Sequence, residues 1–467
     1  MKQKFGNLIL KLVCITAIVT MFSNFAVKVE AEEKQEPHVI PIAMATDDNY
    51  VYPTVVSMTS ILENKNSDTY INFHIMVTNV LSDENQKRLL SLQNVYNNCH
   101  VELINMKDKY ISASVRSYLA TPTYYRLSLP SLLPQYNKVL YLDGDTIIRK
   151  DLWSMYNIDV SDYYIGAVID QFIIGWSNRG RQDYAKELGI KEAEQYVNAG
   201  VLLMNLEKMR NDNIEKNFDD YIPTLAKRGS LYYDQDVLNA VCYSKIKFIS
   251  PEYNAMQNLL IGYGNDSINI VKNYFDLEQW KKACDNPTII HYMGAFKPWE
   301  SKNVRFYSEW DKYRQIAETN IYKVLPEGIY TICSSLDNNM VVDVSGFSKQ
   351  SGANVHLWTK HGLDNQKFKL NYLGQGYYQI ESVCSGKVLD VAYAKNENGA
   401  NVWQHDKNGS DAQIWTIKSA GNDEYYIVSK CNNLYLDLAG AQKNNGTNIF
   451  VWSFNGNKNQ KFKFVKS

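Results

Sequence analysis

Cysteine is scarce in this chain, and patterned cysteine is missing. Seven occur in 467 residues. Cys14 falls in an N-terminal apolar stretch, which leaves Cys99, Cys242, Cys284, Cys333, Cys384 and Cys431. None stands in a Cys-x-x-Cys pair, so the pattern speaks against a thiolate metal centre, and the rest are too sparse to staple a chain of this length. A Lys/Arg-rich run is also absent beyond the first residues, and the formal charge is -1, so nucleic acid is not expected as a partner. Nor is there a long apolar run. Leu12 to Val27 is free of charge for 16 residues but contains Ser23 and Asn24, short of the roughly 20 needed to span a bilayer. With Lys2 and Lys4 before it and Val29-Glu30-Ala31 after it, residues 1–31 read as a cleaved signal peptide and the chain as secreted. An uncleaved N-terminal anchor is the alternative.

What is present is length, tyrosine and two distinct patterns. The length implies two or three domains. The 34 tyrosines suit either stacking on sugars and bases or a tyrosine-rich core. From Val39 to about Tyr322, strand-like runs (Val39–Ala45, Ile71–Val77, Val101–Ile104, Val139–Leu142, Ile165–Ile169, Val201–Met204) alternate with helical patterns. Val51–Glu63 and Asp83–Tyr96 are examples, with Ser82 as a candidate N-cap. That order predicts a largely parallel sheet covered on both faces, with ligands outside the carboxyl ends of its strands.

At one such strand end, Asp143-Gly144-Asp145 follows Val139-Leu140-Tyr141-Leu142. Two carboxylates one residue apart can share a divalent cation that grips a pyrophosphate. Solvated loop acids are the plainer meaning, and Asp234-Gln235-Asp236 shows the same spacing. Other segments fall near strand ends. Asp47-Asp48-Asn49 follows the first run. Asn198-Ala199-Gly200 precedes Val201–Met204, where glycine admits either a close backbone approach or a turn. Asp234 opens a helical stretch, where capping explains it as well as chemistry does. His291 ends Thr288-Ile289-Ile290, where a structural histidine is the plainer reading.

Six segments carry a resemblance. They are Ala45-Thr46-Asp47-Asp48-Asn49-Tyr50, Tyr125-Arg126-Leu127, Lys138 through Asp145, Asn198 through Asn205, Asp234-Gln235-Asp236, and His291-Tyr292-Met293-Gly294 through Lys297-Pro298-Trp299. In this order, over about residues 38–300, they resemble glycosyltransferase family 8, which contains retaining glucosyl- and galactosyltransferases. The resemblance implies an α/β GT-A (Rossmann-like nucleotide-diphospho-sugar transferase) domain over residues 36–322 and a UDP-sugar donor. It implies Mn²⁺ held by Asp143, Asp145 and His291, with Lys297 supplying charge to the departing UDP. By the same resemblance Asp47, Asn49 and Tyr50 hold the nucleoside. Arg126, Asp170, Asn198, Asp234, Gln235 and Gly294 belong to the donor site, with Asp234, Gln235 and Lys297 as catalytic candidates. Gln235 stands where the family commonly has a glutamine near the anomeric carbon, beside Asp234. Double displacement and same-face attack both stay open. Gly144 is unusual for the family but leaves both acids intact.

After Lys323 the pattern becomes short strands with a repeat. Asp343, Asp390 and Asp437 are spaced by 47. Gly352-Ala353-Asn354, Gly399-Ala400-Asn401 and Gly446-Thr447-Asn448 keep the same period, as do Gln366, Gln413 and Gln460, each two residues before Phe368, Trp415 or Phe462. Three markers over three copies define an internal repeat. Residues 323–467 resemble the ricin B-type lectin, an all-β β-trefoil domain. The resemblance implies sugar sites made of an aspartate, an aromatic platform and a polar residue: Asp343, His356, Trp358 and Asn365 in copy one, and Asp437, Trp452 and Asn459 in copy three. Copy two has His405 as platform and Ala412 for the asparagine, so it is expected to be weak or silent.

The expected activity is transfer of a hexose from a UDP-sugar to a glycan or other acceptor by an exported enzyme. Alternatives are a lectin with a vestigial transferase domain and a glycoside hydrolase with a lectin tail. Export leaves open how the enzyme meets a nucleotide sugar made in the cytoplasm. The triplets at Asn265, Asn408 and Asn445 fit the N-glycosylation pattern without fixing the type of organism.

Overall fold

The computed structural model describes residues 37–107, 109–110, 113, 121–170, 172–173, 184–190, 195–228, 230–256 and 276–467. The expected signal segment 1–31 and the triplet at Asn265 lie outside the described residues. The first half contains β1 (His38–Thr46), α1 (Val51–Asn64), β2 (Thr69–Val77), α2 (Asp83–Val95), β3 (Cys99–Asn105), β4 (Lys138–Leu142), β5 (Thr146–Ile148), β6 (Ile165–Ile169), β7 (Val197–Asn205), α3 (Asp234–Cys242), β8 (Ile246–Phe248), β9 (Ala255–Met256), β10 (Ile289–His291) and α4 (Tyr307–Ala317). Ser82 caps α2 as its sequence position suggests, its hydroxyl accepting from the Asn85 N–H.

Seven strands form one sheet in the order β3-β2-β1-β4-β7-β6-β8. Its centre is buried on both faces. Val139 and Tyr141 of β4 belong to one apolar cluster, and Leu140 and Leu142 to another, as strand alternation requires. The pairs β1–β4, β2–β3 and β6–β8 are parallel. β7, however, runs antiparallel to both β4 and β6. This corrects the sequence expectation in one respect. Asn198, Ala199 and Gly200 do not precede a strand running the same way; they are the opening residues of a reversed one. A continuous apolar run is compatible with either direction, so only the connections fix the polarity. The reversal lays the start of β7 beside the carboxyl end of β4, where the Asp143 N–H donates to Gly200 O at 2.8 Å.

A second, three-stranded sheet has the order β5-β10-β9. In it His291 pairs with Thr146 across the antiparallel β5–β10 register, and the Tyr292 N–H donates to Asp145 O at 3.0 Å. This register carries the distant histidine to the two acids.

The second half holds twelve strands, four per copy. They are β11 (Gly328–Ser334), β12 (Asp337–Val344), β13 (Val355–Thr359) and β14 (Phe368–Gly374), then β15 (Tyr377–Ser382), β16 (Val388–Val391), β17 (Ala400–His405) and β18 (Trp415–Gly421), then β19 (Glu424–Ser429), β20 (Tyr435–Leu438), β21 (Thr447–Trp452) and β22 (Phe462–Lys466). The first and last strands of each copy close a six-membered antiparallel ring through β11–β14, β14–β15, β15–β18, β18–β19, β19–β22 and β22–β11. The middle pairs form three hairpins. Phe368, Trp415 and Phe462 are wholly buried in one core. Asn354, Asn448 and Asn401, one from each copy, bond head to tail at 2.9 Å in a closed ring of three amides. Each amide thus both donates and accepts, which explains why the repeat keeps asparagine at that position.

Candidate functional site

Asp143, Asp145 and His291 converge at the carboxyl end of β4. One ligand atom from each lies within 4.8 Å of the others. His291 Nε2 is 3.4 Å from Asp145 Oδ1 and 3.8 Å from Asp143 Oδ2. Each acid is pinned by its other oxygen. Asp143 Oδ1 accepts from Arg126 Nη2 at 3.0 Å and from the Tyr141 hydroxyl at 2.9 Å. Asp145 Oδ2 accepts from the Tyr50 hydroxyl at 3.2 Å and from Lys297 Nζ. Asp145 Oδ1 is buried and accepts no hydrogen bond among the described residues. Burial alone would raise the Asp145 carboxyl, but Lys297 and His291 overcome it and hold the group well below the usual carboxylate range.

The histidine tautomer follows from its neighbours. Asn198 Nδ2 donates to Asp170 Oδ2 at 3.2 Å, which turns Asn198 Oδ1 toward the Gly200 N–H and Asn254 Nδ2, at 3.0 and 2.9 Å. Asn254 must therefore present its oxygen to His291 Nδ1, 3.0 Å away. Nδ1 therefore donates to Asn254, and Nε2 is the ring nitrogen turned toward the two carboxylates. A carboxylate oxygen that accepts no hydrogen bond, an imidazole nitrogen turned toward it and a second positioned carboxylate make a donor set that fits a divalent cation such as Mn²⁺. Gly200 is the floor of this cradle. A Cβ there would lie 2.2 Å from His291 Cε1 and 2.6 Å from Asp143 Oδ2, so the glycine serves close approach rather than a turn. Gly144 is explained likewise, since a Cβ would meet Thr54 Oγ1 at 2.4 Å.

A polar network extends from this cradle. Gln235 Oε1 accepts from the Ala199 N–H at 2.9 Å and from Asn198 Nδ2 at 3.3 Å, and its Nε2 donates to Asp170 Oδ2 at 3.1 Å. Asp234 is paired with Arg126 Nε at 3.1 Å. Burial pushes its carboxyl up to about 6 against the pull of Arg126. Burial likewise raises Asp170, with Asn198 foremost among the groups pulling it back. Tyr50, Arg126, Asp143, Asp145, Asp170, Asn198, Asp234, Gln235, His291 and Lys297 are thus joined into one site. Asp47 serves the preceding turn, its Oδ1 accepting from the N–H groups of Asn49 and Tyr50 at 3.0 Å. Asn49 is exposed on that turn. Gly294, at φ +84°, turns the chain between His291 and Lys297.

Three residues without a role in the sequence motifs belong here. Asn254 orients His291, and Tyr141 holds Asp143. Asp236 is buried and accepts from the hydroxyls of Tyr184, Tyr196 and Ser230, each at 2.6 Å, fixing the segment that leads into α3. The Asp-x-Asp spacing could have flagged Asp236, whereas nothing about Asn254 stands out.

In the second half each repeat aspartate faces one residue across its hairpin: Asp343 faces His356, Asp390 faces Trp403, and Asp437 faces Phe450. The three repeat glutamines orient them, with Nε2 to carboxylate distances of 2.9, 2.9 and 2.8 Å. Asn365 and Asn459 donate to Asp343 and Asp437 at 2.9 and 2.8 Å. Trp358 and Trp452 stand beside them 38% and 40% exposed, large apolar faces left to solvent. Copy two differs further than its sequence suggests. Trp403 Nε1 donates to Asp390 Oδ1 at 2.8 Å, placing an indole against the carboxylate where copy one has His356 and copy three Phe450.

The reversed β7, the paired acids at the carboxyl end of the central strand β4 and the closed trefoil define a GT-A-type glycosyltransferase joined to a ricin B-like lectin domain. The match to the Glycosyl transferase family 8 model spans residues 41–303, and the chain belongs to that family. Residues 320–405 and 364–452 match the ricin-type β-trefoil lectin domain-like model. The chain is similar to the lipopolysaccharide 1,3-galactosyltransferase of Salmonella typhimurium, 26% identical over 265 residues, 56% of this chain and 73% of that one. It is similar to the lipopolysaccharide glucosyltransferase WaaO of Escherichia coli, 27% identical over 286 residues, 60% of this chain and 78% of that one. Among solved structures it resembles the galactosyltransferase LgtC in complex with donor and acceptor sugar analogs, with a TM-score of 0.50 and 25% identity over 60% of this chain and 96% of that one.

Proposed function

We propose that this glycosyltransferase moves a hexose, glucose or galactose, from a UDP-sugar to a glycan acceptor outside the cytoplasm, and that its trefoil binds glycan through copies one and three. The observation that carries the reading is the convergence of Asp143, Asp145 and the Nε2 of His291 around a cradle that one methyl group would fill. These three residues would hold Mn²⁺, which supplies Lewis-acid charge to the diphosphate of a bound donor. Lys297 adds a fixed positive charge beside it, supporting departure of UDP without a proton. Tyr50, with Asp47 and Asn49 on the turn before it, lines the nucleoside side.

Arg126 and the Asp170–Asn198–Gln235 amide network face the donor sugar. Asp234 is committed to Arg126 at 3.1 Å and buried, so it is poorly placed as a free nucleophile. That favours same-face attack by the acceptor over double displacement. In the trefoil, Asp343 and Asp437 would accept from sugar hydroxyls while Trp358 and Trp452 cover the apolar face of the pyranose.

Purified protein given UDP-glucose or UDP-galactose with Mn²⁺ is expected to release UDP, and Asp145→Ala to abolish that release while Trp358→Ala spares it. No release over a panel of nucleotide sugars would instead favour the lectin with a vestigial transferase.

A further inference from the structure

Glu318 is a carboxylate only 5% exposed, in the helical turn that follows α4, and its donors come from both halves of the chain. From α1, the Tyr52 hydroxyl donates at 2.5 Å. From β14 of the trefoil, the Tyr372 hydroxyl donates to Oε2. The Gln375 N–H, in the turn after β14, donates to both oxygens at 2.9 Å, and the Gly376 N–H fixes the Tyr372 hydroxyl from behind at 3.0 Å. Nearby, Arg88 of α2 lies 4.8 Å above the Tyr322 ring, and Lys418 of the trefoil is 3.5 Å from Glu84 of α2. A carboxylate withdrawn from water needs such donors, and two of these three residues belong to the trefoil.

The internal repeat supplies a control. The turn Gly374-Gln375-Gly376 is equivalent, at the 47-residue period, to Gly421-Asn422-Asp423 in copy two. All six residues have positive φ: 92°, 56° and 81° against 79°, 55° and 56°. Copy two fills its turn with asparagine and aspartate, which tolerate that conformation. Copy one instead has Gln375, whose N–H meets Glu318, and Gly376, where a Cβ would lie 2.9 Å from Arg88 Nη2. Tyr372 stands where copy two has Ser419. Three departures of copy one from copy two thus fall on Tyr372, Gln375 and Gly376, which meet the transferase half. One turn of the pseudo-symmetric trefoil has been specialised as a docking surface.

We infer that Glu318 is an anchor that docks the trefoil rigidly on the transferase, so that glycan held by copies one and three is presented from one fixed direction rather than from a flexible tether. Val39–Ser467 forms one compact unit. The test uses the full chain, with calorimetry and small-angle X-ray scattering on the wild type, Glu318→Gln, Tyr372→Phe and the pseudo-equivalent Ser419→Ala. The wild type is expected to unfold in one transition. Tyr372→Phe should lower the melting temperature of the first transition by about 5 °C, separate the unfolding of the two halves and increase the radius of gyration, with Ser419→Ala like the wild type. Should Glu318→Gln fail to fold, Tyr372→Phe carries the test, since it removes one hydroxyl. Two transitions in the wild type, or a Tyr372→Phe protein indistinguishable from Ser419→Ala, would overturn the inference.

Discussion

His291 Nε2 faces Asp145 Oδ1 at 3.4 Å because β10 pairs in register with β5, the strand that Asp145 leads into. The carboxyl is held well below the usual carboxylate range by Lys297 and His291 despite its burial, and the imidazole Nδ1 is engaged by Asn254. Two carboxylates and an imidazole nitrogen gathered in a buried place call for positive charge among them, from a proton on the ring or from a bound cation. This relationship ties the fold to the proposed chemistry.

The role of Asn254 follows directly. Asn254→Ala removes the partner that orients the imidazole ring while leaving Asp143, Asp145 and His291 in place. Loss of an outer hydrogen bond of this kind weakens metal affinity by roughly 10- to 100-fold. Titration calorimetry with Mn²⁺ on the wild type and the variant measures it. An unchanged affinity would mean that the ring is held by β10 alone.

The trefoil copies should separate by substitution. Trp358→Ala and Trp452→Ala are each expected to weaken glycan binding at their own site by about 10-fold, roughly 1.4 kcal/mol, and the double variant to lose the gain from two sites on one body. Asp390→Ala should leave binding unchanged, although unpairing Trp403 and Gln413 costs stability of order 1–3 kcal/mol. Glycan-array binding and thermal melts read these two effects independently. A fall in binding on Asp390→Ala would show that copy two takes part.

Much of this architecture is legible in the amino-acid sequence, and the exceptions have physical reasons. The period-47 repeat points to the trefoil, because three markers in three copies leave little freedom. The run from Val139 to Leu142 followed by two acids locates the strand end. The direction of β7 is not legible, since polarity in a sheet comes from the connections and an apolar strand reads alike both ways. Gly200 stands out in the sequence with a turn as one alternative; its place inside β7 shows the close approach instead. Trp403 gives no warning that it occupies Asp390, because the hairpin register that opposes them is a tertiary property. Asn254 and Glu318 belong to no motif, as each acquires its role from partners remote in sequence.

Acid should weaken copy three. Burial raises the Asp437 carboxyl, against the pull of Asn459, Gln460 and Asn455, so it takes up a proton at a higher pH than an ordinary carboxylate. The ionised form is the one that accepts from sugar hydroxyls. Affinity is therefore full above the raised value and falls as pH drops through it, before ordinary carboxylates titrate. For stability the sign is opposite, because the folded state binds this proton more tightly than the unfolded one, so this group's contribution declines as pH rises through the same window. Binding measured from pH 7 downward on a Trp358→Ala background isolates copy three. A flat profile down to the ordinary carboxylate range would contradict the assignment.

The most direct test is anomalous scattering at the manganese edge from crystals soaked with Mn²⁺ and UDP. The expected result is one strong peak within bonding distance of Asp143, Asp145 and His291 Nε2, touching the diphosphate. A peak elsewhere, or UDP bound with no metal between these three side chains, would contradict it.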